Sequence, residues 1–443
     1  MPRITNIRLG HGVPSLYVRA PARAGVFLMS IHATAEKPRS VDWRTPAVVV
    51  VCGCLIAMIS FGPRSSLGFF LTPLSQANHW GRDVFAFAVA IQNLLWGIGQ
   101  PFAGAIADRF GTNRVLCIGA MLYALGLAIM TRSTTPEELS LSAGVLIGLG
   151  LSGCSFNIVL GAFGKLLPEK WRTLAFGAGT AAGSFGQFLY SPIAVALMDK
   201  FEWQQTLLIF AGVTLLILPL SLALATPVAP AGQSSVAKPT QSARQAFAEA
   251  FGHRSYILLV LGFFTCGFQL AFITVHLPSY LIDRGLSAEI GGWTLAVIGM
   301  FNIIGSLGSG WLSNRMPKRY LLSSIYFIRA AAIVAFIMLP ATPTVTLLFG
   351  AVTGLMWLST VPPTSALVAV MFGTRWLAML FGFAFFSHQV GGFLGVLIGG
   401  IAFERTGSYD LVWWLSVLFG VLSALINLPI VEKPVVRPAM APA

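Results

Sequence analysis

Charge is what this sequence has least of. Only 10% of its 443 residues are Asp, Glu, Lys or Arg, against 56% hydrophobic, and its mean hydropathy is +0.79. Soluble domains average about 25% charged residues, so that class is excluded and a polytopic membrane protein fits. Cysteine is scarce too. All five (Cys52, Cys54, Cys117, Cys154, Cys266) lie in apolar runs and none forms a CxxC pair, so neither a zinc site nor a disulfide framework is indicated. There is no HExxH, no motif-supported Ser/His/Asp set and no Gly-rich loop ending in Lys-Ser/Thr. Enzymatic chemistry and direct use of ATP are therefore not indicated, and no cofactor is expected. Residues 1–40 lack the apolar core and cleavage site of a signal peptide.

Acids are the most informative shortage. The fifteen Asp and Glu all fall in loops, tails or helix ends, whereas two arginines, Arg64 and Arg329, lie inside apolar runs. A carrier of cations needs a buried carboxylate, so a positive interior without acids suits an anion. The net charge of +13 is no argument for nucleic acid. Of 28 Lys and Arg, 21 fall in the termini and in the loops on their side, five in the opposite loops and two inside runs. That asymmetry follows the positive-inside rule and predicts cytoplasmic termini, as expected of an inner-membrane protein.

Twelve apolar runs are present, at about 46–75, 84–107, 113–131, 139–164, 173–197, 204–225, 255–282, 291–312, 320–340, 344–370, 375–402 and 410–430. A helix needs about 20 residues to cross the hydrocarbon core, so each reads as a spanning helix. The predicted organisation is a disordered cytoplasmic tail over 1–44, a six-helix bundle over 45–225 and a cytoplasmic linker over 226–253. A second bundle over 254–431 and a tail over 432–443 complete it. Met29 is an alternative start to Met1. The linker is rich in Pro, Ala, Ser and Gln.

The halves repeat. Gly104-x-x-x-Asp108-Arg109 recurs as Gly310-x-x-x-Asn314-Arg315, an offset of 206. Pro73 recurs as Pro278, and Gly177, Gly186 and Asp199 as Gly382, Gly391 and Glu404, at an offset of 205. Duplicated units of this kind place a site between the halves and serve alternating access.

The centre of the first run is Phe61-Gly62-Pro63-Arg64-Ser65. A guanidinium at mid-bilayer depth costs at least about 2.5–3.5 kcal/mol, so Arg64 must face protein, water or ligand. Gly62-Pro63 can loosen the helix beside it. Arg64 is thus read as the fixed charge of an anion site, the bland alternative being a structural arginine bonded to carbonyls. His276, two residues before Pro278, and His388 are the candidates for proton coupling, because histidine changes charge near neutral pH. The alternative for each is a neutral histidine on a backbone carbonyl. Gln269 precedes Pro278 by nine residues, as Arg64 precedes Pro73, which predicts that they face one another across the cavity. Asn157, Asn302 and Gln389 are further binding candidates, with Gln92, Asn93, Gln187 and Tyr190 at similar depth. Most such residues are packing glue, worth about 0.6 kcal/mol each. Phe156 and Trp357 are candidates for an apolar wall. The glycines of the fifth and eleventh runs (Gly177, Gly179, Gly183, Gly186; Gly391, Gly392, Gly395, Gly399) read as packing and rocking surfaces.

Gly104-Ala105-Ile106-Ala107-Asp108-Arg109-Phe110-Gly111-Thr112-Asn113-Arg114 resembles the loop signature of the major facilitator superfamily. The resemblance runs from about residue 45 to 431. It implies an all-α membrane protein of 12 helices in two pseudo-symmetric six-helix bundles. It also implies a cytoplasmic latch made by Asp108, Arg109 and Arg114, and peripheral third, sixth, ninth and twelfth helices, which makes Arg329 structural. Phe386-Ser387-His388-Gln389-Val390-Gly391-Gly392 and Gly308-x-Gly310-Trp311-Leu312 are similar to bacterial relatives of the monocarboxylate and oxalate/formate carriers. Those carriers usually place an arginine where Ser306 stands here, and an acid at the place of Asn302. If arginine holds the carboxylate, Arg64 must do it. The expected function is movement of a small organic anion, a monocarboxylate, by proton symport or anion exchange, by a monomer in the lipid bilayer. The site is expected between helices 1, 4, 5, 7, 8, 10 and 11. Export of apolar drugs is the alternative, and a membrane sensor or enzyme the rival outside transport.

Overall fold

The computed structural model describes residues 43–226, 242–373 and 376–435. The tail expected over 1–44 lies outside these residues apart from Trp43 and Arg44, as do 227–241 of the expected linker and 436–443 of the C-terminal tail. Among the described residues there are twelve helices long and apolar enough to cross a membrane. They are α1 (Pro46–Asn78), α2 (Arg82–Ala107), α3 (Thr112–Met130), α4 (Pro136–Leu166), α5 (Leu174–Lys200), α6 (Trp203–Leu224), α7 (Arg254–Asp283), α8 (Ala288–Leu312), α9 (Lys318–Met338), α10 (Pro343–Phe372), α11 (Met379–Thr406) and α12 (Asp410–Asn427). Large side chains such as Phe102, Leu174, Leu307 and Leu348 stay more than 60% exposed on their outer faces. So much exposed apolar surface belongs against lipid rather than water.

Thr-Pro pairs start three of the spans. Thr45, Thr135 and Thr342 each accept a hydrogen bond from the third helical N–H, and proline fills the first position, where no N–H is needed. The second and third of these open corresponding spans of the two halves. The expected linker holds a short helix of its own, Ala243–Phe251, started by a Ser242/Gln245 capping box. The eleventh run was expected to end at 402. The helix instead continues to Thr406 and stops at Gly407 in the left-handed region (φ 68°), because Glu404 and Arg405 remain helical although they end the apolar run.

Within each half, α1 packs on α5 and α7 on α11. The halves meet along α2–α11 and α5–α8. The expected rocking glycines serve mainly the contacts within a half. Gly186 approaches the Met58 carbonyl, and Gly391 and Gly395 approach the Phe264 and Phe268 backbones, so all three bind helices inside one half. Close approach between halves falls to other glycines: a Cβ on Gly299 of α8 would stand 2.7 Å from the Phe188 nitrogen of α5.

Two spans are broken at matching places. In α4, extended Ser155 separates Ile147–Cys154 from Phe156–Leu166. In α10, Trp357–Thr360 separate Pro343–Met356 from Val361–Phe372. Such a break frees backbone groups that hydrocarbon cannot satisfy. At the α10 break the Val361 N–H turns to the Leu358 carbonyl (2.9 Å). This releases the Trp357 carbonyl, which Arg329 of α9 takes at 3.0 Å. Arg329 also donates to the Met356 carbonyl and to Gln269 Oε1 (3.1 Å), and it is fully buried. Asn302 Oδ1 accepts from Leu358 N (3.0 Å), and Ser309 Oγ donates to the Ser359 carbonyl (2.6 Å).

Arg329→Met should therefore lower stability by about 2–4 kcal/mol, since it strands buried carbonyls that met a charged donor. Thermal unfolding of the detergent-solubilised protein measures this, and an unchanged melting temperature would refute the role.

Candidate functional site

Eight spans converge on a cavity of about 280 Å³. Its walls come from α1, α2, α4, α5, α7, α8, α10 and α11, and none of its lining residues belongs to α3, α6, α9 or α12. The lining reaches from Arg64 through Thr180, Ser365 and Phe381 toward the face that carries the start of α1 and the linker, here called the terminal face. α2 joins the seven spans expected there.

Arg64 lies in this wall, half-buried, at the end of the regular helix Pro46–Ser65. The helix tightens just beyond it into a 3₁₀ turn, Leu67–Phe70. Ser65 and Ser66 donate their hydroxyls to the Gly62 carbonyl at 2.7 and 3.2 Å, which satisfies the loosened backbone. The guanidinium is fixed on two sides. Its Nη2 donates to Asn93 Oδ1 at 2.6 Å, and its plane lies 4.6 Å from the Trp96 ring centroid and 5.7 Å from that of Phe61. Arg64 Nε has no hydrogen-bond partner, and no carboxylate pairs with Arg64 among the described residues. An arginine held by an amide and a ring keeps a donor to spare.

Across from it, α11 brings His388 and Gln389 into the same cavity. His388 Nδ1 lies 3.0 Å from Gln389 Oε1, and Gln389 Nε2 donates to the Asn93 carbonyl at 3.3 Å. A polar chain thus runs His388–Gln389–Asn93–Arg64 from one half to the other. His388 Nε2 is buried without a hydrogen-bond partner. Asn93, Phe156, Asn157, Gln187 and Trp357 also line the cavity, as does Ser306.

Other predicted residues lie elsewhere. Gln269 is fully buried on the far side of α7, where it donates to the Ser416 carbonyl (2.7 Å) and accepts from Arg329. Leu270 and Ala271 line the cavity instead. The cause is helical geometry. The nine residues from Arg64 to Pro73 cross a 3₁₀ turn, whereas those from Gln269 to Pro278 are regular helix. Four 3₁₀ residues advance about 20° more apiece, roughly 80° in all, which is close to one helical position. Matching height therefore did not give a matching face. His276 lies beyond the cavity, fully buried, with Nε2 2.9 Å from the Val396 carbonyl and Nδ1 3.3 Å from the Tyr409 hydroxyl. Asn302 is also outside the lining, and its groups are spent on Ser184 Oγ (2.8 Å), Ser306 Oγ (3.1 Å) and Leu358 N. Gln92 and Tyr190 do not line the cavity, and Gln92 donates to the Ala143 carbonyl. For the expected latch, Arg109 and Arg114 are exposed, with Arg109 5.2 Å from the Phe110 ring, while the Asp108 side chain lies outside what is described.

Sequence reasoning missed the opposite end of the molecule. There Arg82, at the start of α2, makes a two-point ion pair with Asp283 at the end of α7 (2.6 and 2.8 Å). Arg82 also donates to the Tyr409 hydroxyl (3.1 Å) and lies 3.9 Å from the Phe403 ring, while its backbone N–H donates to Glu404 Oε1 (2.6 Å). Thr72 and Ser279 hydroxyls meet at 3.0 Å beside this cluster. Every one of these contacts joins the two halves, at the end opposite the terminal face. The available signal was charge at run ends on the face poorest in basic residues.

The Major Facilitator Superfamily profile matches residues 53–396. The MFS-type transporter YcxA of Bacillus subtilis (strain 168) is 32% identical over 384 residues, covering 85% of this chain and 93% of that protein. Monocarboxylate transporter 13 of Rattus norvegicus is 23% identical, covering 86% of each. Among solved structures, a bacterial homolog of the human lysosomal transporter Spinster superposes with a TM-score of 0.70 at 16% identity, covering 86% of this chain and 96% of that one. A D-xylose-proton symporter does so at 0.65 and 17%, covering 88% and 98%. Two six-helix halves around a shared cavity, with a family match that spans both, place this chain in the Major Facilitator Superfamily, as a multi-pass transporter and not an enzyme.

Proposed function

We propose that this transporter moves a small organic anion, a monocarboxylate, by alternating access between the two halves. The observation that carries the reading is Arg64, a cavity-facing guanidinium with no carboxylate partner among the described residues. Desolvating such a charge is worthwhile only if something offsets it, and a ligand carboxylate does so through charge-assisted hydrogen bonds. The similarity to a monocarboxylate transporter supports the same class. Ser306 lines the cavity where the resembling carriers hold their arginine, a departure from them that leaves Arg64 to meet the carboxylate.

Asn93 and Trp96 hold Arg64 in place before the ligand arrives, which lowers the cost of ordering the site. A carboxylate on Arg64 also meets α11 through the Gln389–Asn93 link, so its binding draws the halves together. His388 is the proton site that best fits this arrangement, being an imidazole that lines the cavity beside the Cys266 thiol. With one proton and one carboxylate aboard, the occupied cavity carries no added charge. Exchange of one anion for another uses the same contacts without the proton. The positive-inside bias supports cytoplasmic termini, which makes the Arg82–Asp283 cluster the outer gate. The aromatic walls favour one rival, export of apolar compounds, and Arg64 separates the two readings.

Arg64→Ala should reduce saturable uptake of the transported acid into proteoliposomes by about 100-fold or more, and Arg64→Lys should retain part of it. Normal uptake by Arg64→Ala would remove the anion assignment and leave the apolar exporter. The gate makes a separate prediction. Arg82→Ala should speed labelling of Ser279→Cys by an impermeant maleimide from the face opposite the termini several-fold. The double exchange Arg82→Asp/Asp283→Arg should slow it again. Equal labelling of all three would show that the ion pair does not hold that end closed.

A further inference from the structure

We propose that the anion taken by this cavity is an aromatic monocarboxylate, a flat one- or two-ring body bearing a single carboxylate. This rests on the organic-anion reading of Arg64 and narrows it. Three features of the cavity support it.

The first is charge. Among the described residues, Arg64 is the sole arginine or lysine in the lining, and no Asp or Glu stands there. One carboxylate is matched. A second would lie against rings and aliphatic side chains with no cation to meet it, a burial that is strongly disfavoured.

The second is the surface that continues from the guanidinium. The Trp96 ring carries Arg64 at 4.6 Å and meets Phe385 of the other half edge-on at 5.6 Å and 78°. Phe385 stacks on His388 (5.8 Å, 7°), His388 lies 5.1 Å from Phe263, and Phe263 lies 6.1 Å from Phe381. Ring follows ring from the charge in one half to the far wall in the other. A carboxylate on Arg64 lays its organic part along this run, where an aromatic body gains edge and face contacts as well as burial. A two- or three-carbon acid covers little of it.

The third is what the polar side chains near Arg64 are already doing. Asn93 accepts from Arg64 with its oxygen and donates to the Val89 carbonyl at 2.9 Å with its nitrogen. Gln389 is engaged by His388 and by the Asn93 carbonyl. Each amide already has its oxygen and one N–H committed, so a hydroxy acid or sugar acid finds few ready partners beside Arg64 for the hydrogen bonds it gives up in water. The cavity, at about 280 Å³, sits at the small end of ligand pockets, which excludes large polycyclic compounds.

The test is binding to the purified full-length protein by calorimetry, with phenylacetate, lactate, succinate and the uncharged benzyl alcohol as probes. Phenylacetate should bind at least about tenfold more tightly than the other three. Phe385→Leu, on the half opposite Arg64, should cut phenylacetate affinity about tenfold and leave lactate affinity unchanged. A folded thermal transition for each variant accompanies the measurement. If lactate or succinate binds as tightly as phenylacetate and Arg64→Gln abolishes it, the aromatic class is overturned and the organic-anion reading stands. If benzyl alcohol matches phenylacetate and Arg64→Gln changes neither, both fail together. Binding of none of the four also overturns the aromatic assignment.

Discussion

A guanidinium inside a bilayer has to be answered, and this protein answers its two in opposite ways. Arg329 is answered by the fold: two carbonyls from the α10 break and the amide oxygen of Gln269 take both of its terminal nitrogens, its Nε is left without a partner like that of Arg64, and no part of it is exposed. Arg64 is answered only in part, by one amide and two rings. The same chemical group at similar depth thus has a structural role in one half and an open valence in the other. The difference arises from the partners within reach rather than from the arginines themselves. A break in a neighbouring helix supplies carbonyls to Arg329, whereas the matching break at Ser155 lies in a half whose arginine faces the cavity.

This asymmetry is laid over a repeated plan. Both halves break a span at corresponding positions, both use Thr-Pro to start that span, and both pack their first span on their fifth. Repetition provides two rigid bundles with a cavity between them. Departure from repetition makes the cavity chemically uneven, with a charge on α1, a histidine on α11 and rings on both halves.

The spans were legible because spanning hydrocarbon demands length and apolarity, and both are local properties of sequence. Arg64 was legible for the complementary reason, since charge in such a stretch is rare enough to stand out. The failures share a cause. Gln269 was put at the right height and on the wrong face, because a single 3₁₀ turn in α1 shifts the azimuth by nearly one position while leaving the sequence spacing intact. Pairings across the halves, such as Arg82 with Asp283, join residues 201 apart and leave no period to read. The rings around the cavity were hidden by abundance, because 33 phenylalanines offer no way to tell a cavity wall from a lipid-facing side chain.

The two ends of the molecule are built from different physics, and the difference bears on how the halves separate. The end opposite the termini relies on charge: a two-point ion pair, a carboxylate on a backbone N–H and a cation over a ring, with Arg82 and Asp283 partly exposed. Contacts of that type are screened as water enters and cost little to break once both partners are hydrated. The middle relies on backbone approach at Gly299 and on hydrogen bonds such as that from the Asn302 amide to Ser184, which are buried and cannot be exchanged for water so cheaply. Separation that begins at the charged rim and pivots about the α5–α8 and α2–α11 seams therefore follows the gradient of cost.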